Sequence, residues 1–159
     1  MNIYKNFLPK KTFAEVKKNM MSNYFPWYFN DWIINNKDKN FQFTFTFMND
    51  NNKQLCADYI FKYIEPVLKK IKYNKLNRVK ANLLTKTKTI VEHGFHTDQP
   101  QGITGIFYIN NCDGYTKFKN GKKIKSEENK YIEFDSTLQH TGSSCTDEKR
   151  RVVINFNYQ

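Results

Sequence analysis

The sequence has few cysteines, few arginines and no long apolar run. The three cysteines, Cys56, Cys112 and Cys145, are odd in number and far apart, which argues against a secreted scaffold held by disulfides. No stretch approaches the roughly 18 apolar residues of a membrane-spanning helix. The first seven residues lack the apolar core and cleavage site of a secretory signal. These absences predict a soluble protein of a reducing compartment, with no membrane partner.

The formal net charge of +11 comes almost entirely from lysine, because only Arg78, Arg150 and Arg151 are arginines. The chain also contains 20 asparagines. An AT-rich coding sequence would raise Lys and Asn together while Arg stays scarce. The lysines are scattered as on a solvated surface, although Lys117–Lys125 is dense. Charge alone therefore leaves a nucleic-acid or acidic partner open without favouring it.

The 159 residues suit one domain. In the first half we predict a helix opened by a capping box, Thr12–Glu15, a strand at Phe41–Phe47 and a helix from Gln54 to Lys72 that Pro66 kinks or divides. The apolar stripe of the first helix is Phe13, Val16 and Met20, and that of the second is Leu55, Tyr59, Tyr63, Val67 and Ile71.

The pattern of the second half predicts short strands separated by turn-forming residues. The predicted strands are Val79–Leu84, Thr89–Glu92, Ile103–Ile109, Tyr115–Lys119, Lys122–Lys125, Lys130–Phe134, Leu138–Thr141 and Arg151–Asn157. Asn120-Gly121 suits a type I′ turn. We expect a mainly β, α+β fold: a small barrel or jelly roll with helices packed outside. Helical support would occupy about 1–76 and the β core about 77–159.

All three histidines lie in this strand-rich half. In His96-Thr97-Asp98 the imidazole and the carboxylate are two residues apart, so extended backbone projects both to one face. His140 follows near a later strand, where a folded sheet could bring it alongside. Two histidines and one carboxylate on one face of a metal form the ligand set of non-haem Fe(II) oxygenases.

An arginine opens the last predicted strand, ten to eleven residues after His140. Its planar fork can bind a carboxylate through two parallel charged hydrogen bonds, which lysine cannot reproduce. The choice between Arg150 and Arg151 is a question of strand parity. If Arg151 points inward, polar Asn155 shares its face and bulky residues pack on the other, so we favour Arg151.

Several motifs in order resemble the 2-oxoglutarate- and Fe(II)-dependent oxygenases, in particular the small prolyl-4-hydroxylase-like proteins of bacteriophages. The resemblance covers roughly half of the chain, from about Arg78 to the C-terminus. The matching stretches are Arg78–Leu83, Glu92–Asp98, Gly105–Asn110, Gly114–Phe118 and His140–Tyr158.

The resemblance implies a double-stranded β-helix, cupin-like core in which His96, Asp98 and His140 bind Fe(II). Arg151 would hold the distal carboxylate of 2-oxoglutarate, and O₂ would be the other cosubstrate, with ascorbate as a candidate reductant. The remaining candidates for the cosubstrate pocket are Tyr108, a hydroxyl donor to that carboxylate, Asn82 and Asn155. Many relatives carry Ser or Thr two residues after the arginine, whereas this chain has Val153.

The function implied is hydroxylation of a peptidyl residue, with proline favoured, coupled to decarboxylation of 2-oxoglutarate to succinate and CO₂. Retention of Asp98 favours hydroxylation over halogenation. Alternatives are a hydroxylase or demethylase of a small molecule or nucleobase, and a non-catalytic cupin-like metal-binding module. A peptide or protein substrate is favoured over nucleic acid. The expected location is the cytoplasm, that of the host cell if a phage encodes the chain.

Other candidates receive structural interpretations. His93, three residues before His96, would face away on a strand, solvated or supporting a ligand from behind. Glu133 and Asp135 resemble a carboxylate pair, but Asp135-Ser136 is more typical of a turn. Cys145 has no evident base to make it a nucleophile. The segment Asn30–Asn40 and the hairpin Lys117–Lys125 are the candidate lids over the pocket.

Overall fold

The computed structural model describes residues 1–34, 40–49 and 53–159. Their strands are β1 (Asn2–Tyr4), β2 (Tyr28–Asn30), β3 (Gln42–Met48), β4 (Leu76–Thr85), β5 (Ile103–Tyr108), β6 (Tyr115–Phe118), β7 (Lys123–Lys125), β8 (Lys130–Asp135), β9 (His140–Gly142) and β10 (Arg150–Tyr158). The helices are α1 (Lys10–Met20), α2 (Asp58–Phe61) and α3 (Glu65–Leu68). None of these helices is long and apolar enough to cross a membrane.

The strands form two antiparallel sheets. The larger has the order β1-β8-β5-β10-β4-β3-β2, and the smaller has the order β7-β6-β9. Strands of both sheets contribute to one buried apolar cluster, which includes Ile106, Phe118 and Val153. Because this cluster joins the two sheets face to face, the fold is a jelly roll, as predicted.

The two faces of strand β10 point in different directions. One packs into the larger apolar cluster with helix α1, and the other faces the space between the two sheets. Val152, Ile154 and Phe156 belong to the larger apolar cluster, together with Phe13, Val16 and Met20 of α1. The alternate residues Arg151, Val153 and Asn155 line a cavity between the sheets. This alternation follows from the two-residue period of a strand, and it places Arg151 inward as predicted. Arg150 instead donates to the carbonyl of Met21, beyond the end of α1.

Helix α1 carries the predicted buried stripe, but it begins earlier than the capping box implies. Its N-cap is Pro9, and no side chain caps it. Thr12 and Glu15 therefore lie inside the helix, and the predicted capping box is wrong. A start at Lys10 gives the same apolar face, so the stripe could not reveal the boundary.

The predicted helix from Gln54 to Lys72 is divided, as Pro66 suggested. Pro66 lies in the first turn of α3, where a missing backbone N–H is tolerated. The predicted stripe fails at its start, because Leu55 and Tyr59 are exposed, whereas Ile60 and Ile64 are buried. Two short helices do not keep one helical phase across the break.

The observed strands differ from the predicted ones in both halves of the chain. Thr89–Glu92 forms no strand, and Glu92 makes only an isolated bridge to Ser143. Strands β1 and β2, which the pattern missed, extend the two ends of the large sheet. The chain before residue 77 thus supplies three strands as well as helices.

The hairpin between β6 and β7 contains a glycine turn, but not of type I′. Gly121 has a φ of +88°, while Asn120 is not among the positive-φ residues. The Gly121 N–H donates to the Phe118 carbonyl at 2.9 Å, and the Phe118 N–H donates to the Lys122 carbonyl at 2.9 Å. One residue at positive φ after a turn is typical of a three-residue loop with a glycine bulge.

Gly105 of β5 has no room for a side chain. A Cβ built there would lie 1.9 Å from the hydroxyl oxygen of Tyr131. Tyr131 is fully buried, and its hydroxyl is 3.2 Å from that of Tyr158. Gly105→Ala must therefore displace a buried ring, and we expect it to lower the free energy of unfolding by about 1–3 kcal/mol in urea denaturation.

Gly94→Ala is the matched control, since its Cβ would make an ordinary contact of 3.5 Å with Ile34. We expect a change of no more than about 0.5 kcal/mol. Equal stability of the two variants would contradict the packing at Gly105.

Candidate active site

His96 and His140 lie directly opposite each other in an isolated antiparallel bridge. The His96 N–H donates to the His140 carbonyl, and the His140 N–H to the His96 carbonyl, each at 3.0 Å. Asp98 follows two residues after His96, and its N–H donates to the Ser136 carbonyl at 3.2 Å. Main-chain hydrogen bonds thus bring His140 beside His96 and Asp98, although it is far from both in the sequence.

The three side chains converge on one point. The Nε2 atom of His96 is 3.8 Å from Asp98 Oδ1, and that of His140 is 3.7 Å from Asp98 Oδ2. One ligand atom from each residue lies within 4.8 Å of the others. Two atoms bound to one ion at about 2.1 Å lie roughly 3–4 Å apart, so small side-chain shifts suffice for a shared ion.

Backbone carbonyls orient both imidazoles. His96 Nδ1 is 3.2 Å from the Gly94 carbonyl oxygen, and His140 Nδ1 is 3.0 Å from that of Leu138. A proton on each Nδ1 satisfies these contacts and leaves the Nε2 lone pairs facing Asp98. Burial lowers the pKa of His140, although nearby Asp98 opposes the shift. The neutral form, which binds metals, is therefore favoured at neutral pH.

Three residues that the sequence analysis did not select hold the Asp98 carboxylate, two by direct contact and one through those two. Thr104 donates its hydroxyl to Asp98 Oδ2 at 2.7 Å, and the Arg78 Nη2 atom lies 3.6 Å from Oδ1. Asn157 links these two, because its amide donates to Thr104 and its oxygen accepts from Arg78, each at 3.0 Å. Asn157 has the same strand parity as Arg151, the one sequence signal that could have identified it.

The three candidate ligands line a cavity of about 330 Å³ between the sheets. Among the other proposed site residues, Arg151, Asn82 and Asn155 line it as well. The Asn155 Oδ1 atom is enclosed and has no hydrogen-bond partner among the residues that the structure describes. The interior of the jelly roll thus unites most of the predicted site.

The candidate lids differ in their relation to this cavity. Asn30, Trp32, Ile33 and Ile34, from the first segment, line it. Residues 35–39 of that segment lie outside the described residues. No residue of the hairpin Lys117–Lys125 is among those that line the cavity.

Arg151 is a buried cation beside the cavity. Its Nη1 donates to the Ser143 carbonyl at 3.4 Å and its Nη2 to the Thr116 hydroxyl at 3.2 Å, while its Nε has no partner in the described part of the chain. Burial lowers its pKa, but a guanidinium keeps its charge in proteins. Among the described residues no carboxylate forms an ion pair with it, so the site suits an anionic group from outside the chain.

Gly114 makes the position of Arg151 sterically possible. A Cβ at residue 114 would lie 2.7 Å from the Arg151 Cδ atom and 2.6 Å from the Ser144 carbonyl oxygen. The side chain of Arg151 therefore passes next to residue 114, just before β6, where only glycine leaves space for it.

Tyr108 lies behind the cavity wall. Its side chain is fully buried, and its hydroxyl donates to Thr116 at 2.9 Å. The Arg151 Cζ atom is 5.7 Å from the centre of its ring. Burial raises the pKa of Tyr108 to about 12. In the structure the Tyr108 hydroxyl donates to Thr116, and its direct donation to a carboxylate in the cavity stays a prediction.

His93 lines the cavity instead of facing away from it. The prediction assumed a regular strand, in which residues three apart point to opposite faces. Here Glu92 and His96 form only isolated bridges, so strand parity does not apply between them.

The remaining candidates have structural roles. Asp135 accepts hydrogen bonds from the Thr137 N–H at 2.9 Å and the Thr137 hydroxyl at 2.6 Å, which confirms the predicted turn. The Glu133 carboxylate accepts from Asn2, Tyr4 and Tyr158. Burial raises the pKa of Cys145 to about 12, so its thiol stays protonated at neutral pH.

The fold is shared with several solved oxygenases. A Trichoplax adhaerens prolyl hydroxylase, solved with a hypoxia inducible factor peptide fragment, matches with a TM-score of 0.66 and 14% identity, over 99% of this chain and 82% of that one. A Pseudomonas putida prolyl-4-hydroxylase matches at 0.60 and 10% identity, over 99% and 92%. SnoN, a non-haem α-ketoglutarate-dependent epimerase of nogalamycin biosynthesis, matches at 0.65 and 9% identity, over 99% and 76%.

These identities are low enough that the likeness establishes the fold and not the activity. No family model matches the sequence. No curated protein matches it either.

The buried charge of Arg151, which forms no ion pair within the described part of the chain, has a consequence for stability. Replacing a buried ion pair by apolar side chains of similar volume is often neutral or stabilises a protein by about 1–4 kcal/mol, and a lone buried cation bears the same desolvation cost without a Coulombic gain. We therefore expect Arg151→Met to raise the free energy of unfolding by a similar amount in urea denaturation.

Arg150→Met is the matched control. It should lower the free energy of unfolding by about 1 kcal/mol, because it removes the hydrogen bond to the Met21 carbonyl. A large loss of stability in Arg151→Met would mean that the chain itself neutralises this cation.

Proposed function

We propose that the protein is a 2-oxoglutarate- and Fe(II)-dependent dioxygenase that hydroxylates a peptidyl residue, with proline favoured. The observation that carries the proposal is the convergence of His96, Asp98 and His140 in a cavity that the guanidinium of Arg151 also lines, with no ion pair to any residue that the structure describes. A metal-binding module without catalysis would need the three ligands but not the buried cation.

The donor set suits Fe(II). Two neutral imidazoles and one carboxylate bind a first-row metal on one face and leave other coordination positions open. His96 and His140 would bind through Nε2, since their Nδ1 atoms face carbonyls. Thr104 and Arg78 hold the Asp98 carboxylate in place. The side chain of Asp98 is only 4% exposed, so the protein fixes this ligand before a metal arrives.

Arg151 would hold the distal carboxylate of 2-oxoglutarate. Its enclosed Nε and Nη atoms can donate to both oxygens of a carboxylate, and the low-dielectric surroundings strengthen that attraction. Asn82 and Asn155 would offer amide groups along the cosubstrate. Bound iron and 2-oxoglutarate would supply O₂ activation, coupled to decarboxylation to succinate and CO₂. The protein's own task is to orient these groups and to limit the access of water.

A peptide substrate is favoured over the alternatives. One solved structure with this fold, at a TM-score of 0.66, is a prolyl hydroxylase in complex with a peptide fragment. Trp32, which is 42% exposed, lines the cavity, and an accessible aromatic side chain there suits contact with a residue presented on a chain.

Asp98→Ala tests the proposed metal site. We expect it to weaken the binding of Mn(II), measured by calorimetry, at least about 10-fold, because it removes the one charged ligand. Succinate release with Fe(II), 2-oxoglutarate and ascorbate should fall with it.

Asp135→Ala is the control, since that carboxylate only caps an exposed turn, and it should bind Mn(II) as the parent does. Parent-like binding by Asp98→Ala would refute the site.

Peptide hydroxylation tests the proposed substrate class. We expect the parent protein, with Fe(II) and 2-oxoglutarate, to add 16 Da to proline-containing peptides, measured by mass spectrometry. An Arg151→Met sample should lose this product. Hydroxylation of single-stranded DNA bases or of a free small molecule in place of every peptide in a proline-rich library would contradict the peptide proposal.

A further inference from the structure

Thr116 of β6 lies between the cavity and Tyr108. Its side chain is almost fully buried, with 2% exposed, and it lines the cavity next to Arg151. Its hydroxyl oxygen receives two hydrogen bonds, one from the Tyr108 hydroxyl at 2.9 Å and one from Arg151 Nη2 at 3.2 Å. Thr116 is therefore the point at which the buried tyrosine and the buried arginine meet.

The direction of these hydrogen bonds follows from the groups involved. A guanidinium can only donate. Tyr108 is enclosed on all sides, and Thr116 is the acceptor of its hydroxyl. A threonine hydroxyl has one hydrogen and two lone pairs, so both lone pairs of Thr116 are used. No described residue accepts the hydrogen of the Thr116 hydroxyl, so this hydrogen can point into the cavity.

The Thr116 hydroxyl lies beside Arg151, where strand β10 offers none. Two residues after Arg151, the inward side chain is Val153, which cannot donate a hydrogen bond. Strand β10 thus supplies the guanidinium but no hydroxyl beside it. Thr116 supplies a hydroxyl to the same place from the small sheet.

We propose that Thr116 donates its hydroxyl hydrogen to the carboxylate held by Arg151, and that Tyr108 acts through Thr116 as a positioning residue. This inference rests on the proposed function, because it concerns the distal carboxylate of 2-oxoglutarate. Two donors from two sheets then converge on one carboxylate. A hydroxyl aimed at an anion makes a strong, short hydrogen bond, and it discriminates against ligands that lack the distal carboxylate.

The test measures ligand affinity without turnover. The Mn(II)-loaded protein is titrated with 2-oxoglutarate by calorimetry, and pyruvate serves as the analogue without a distal carboxylate. We expect Thr116→Val to bind 2-oxoglutarate about 10- to 100-fold more weakly, as for the loss of a hydrogen bond to a charged group. Its affinities for Mn(II) and pyruvate should stay at the parent's values.

Two further variants separate donation from packing. Thr116→Ser keeps the hydroxyl and should recover an affinity within about 3-fold of the parent. Tyr108→Phe should lose less affinity than Thr116→Val, because it only frees one lone pair of Thr116. If Thr116→Val does not fold, Thr116→Ala removes the same hydroxyl from a smaller side chain and is expected to give the same loss.

Thr141→Val is the matched control. Thr141 is fully buried, and its hydroxyl donates to the main-chain carbonyl of His93 at 2.7 Å. The affinity of the Thr141→Val variant for 2-oxoglutarate should match that of the parent protein.

The outcomes separate the inference from the proposed function. If Arg151→Met loses 2-oxoglutarate affinity while both Thr116→Val and Thr116→Ala keep it, the inference fails and the proposed function stands. A loss in Tyr108→Phe that equals or exceeds that of Thr116→Val would assign the donation to Tyr108 and overturn the inference. A parent protein that binds neither Mn(II) nor 2-oxoglutarate would overturn both.

Discussion

The pairing of His96 with His140 is the constraint on which the candidate site depends. Two main-chain hydrogen bonds of 3.0 Å fix these residues opposite each other, although 43 positions separate them in the sequence. His140 begins β9 of the small sheet, whereas His96 belongs to no strand, so this isolated bridge holds the His96 segment against the sheet. Asp98 then reaches the same point because it follows His96 by two residues.

Burial of polar groups without partners is the second feature of the site. The enclosed Arg151 Nε and Asn155 Oδ1 atoms lack hydrogen bonds within the described chain, and each such group costs free energy. A fold retains that cost where a ligand offsets it, since functional sites commonly sacrifice stability. Asp98 contrasts with them, because Thr104 and Arg78 contact it and Asn157 holds those two side chains. In the proposed function, the carboxylate that would bind the metal is thus fixed beforehand, while the guanidinium that would hold the cosubstrate stays available.

The features that could be predicted from the sequence are those set by the order of motifs and by the two-residue or 3.6-residue periods of strands and helices. The strand alternation around Arg151 and the division at Pro66 follow from local geometry, and both are confirmed. The partners of Asp98 depend on pairing between distant strands: Arg78 lies opposite Asn157 in the register of β4 with β10. No local pattern contains that register. His93 was misplaced for a related reason, since parity was applied to irregular backbone, and Thr116 was missed because β6 was interpreted only as a strand.

The most direct measurement is a crystal structure of the protein with Fe(II) and 2-oxoglutarate under anaerobic conditions, with anomalous data at the iron edge. The account predicts one iron peak within about 2.2 Å of His96 Nε2, His140 Nε2 and one Asp98 oxygen, with the distal carboxylate of 2-oxoglutarate on Arg151. An iron peak bound elsewhere, or a cosubstrate that leaves Arg151 without a partner, would contradict it.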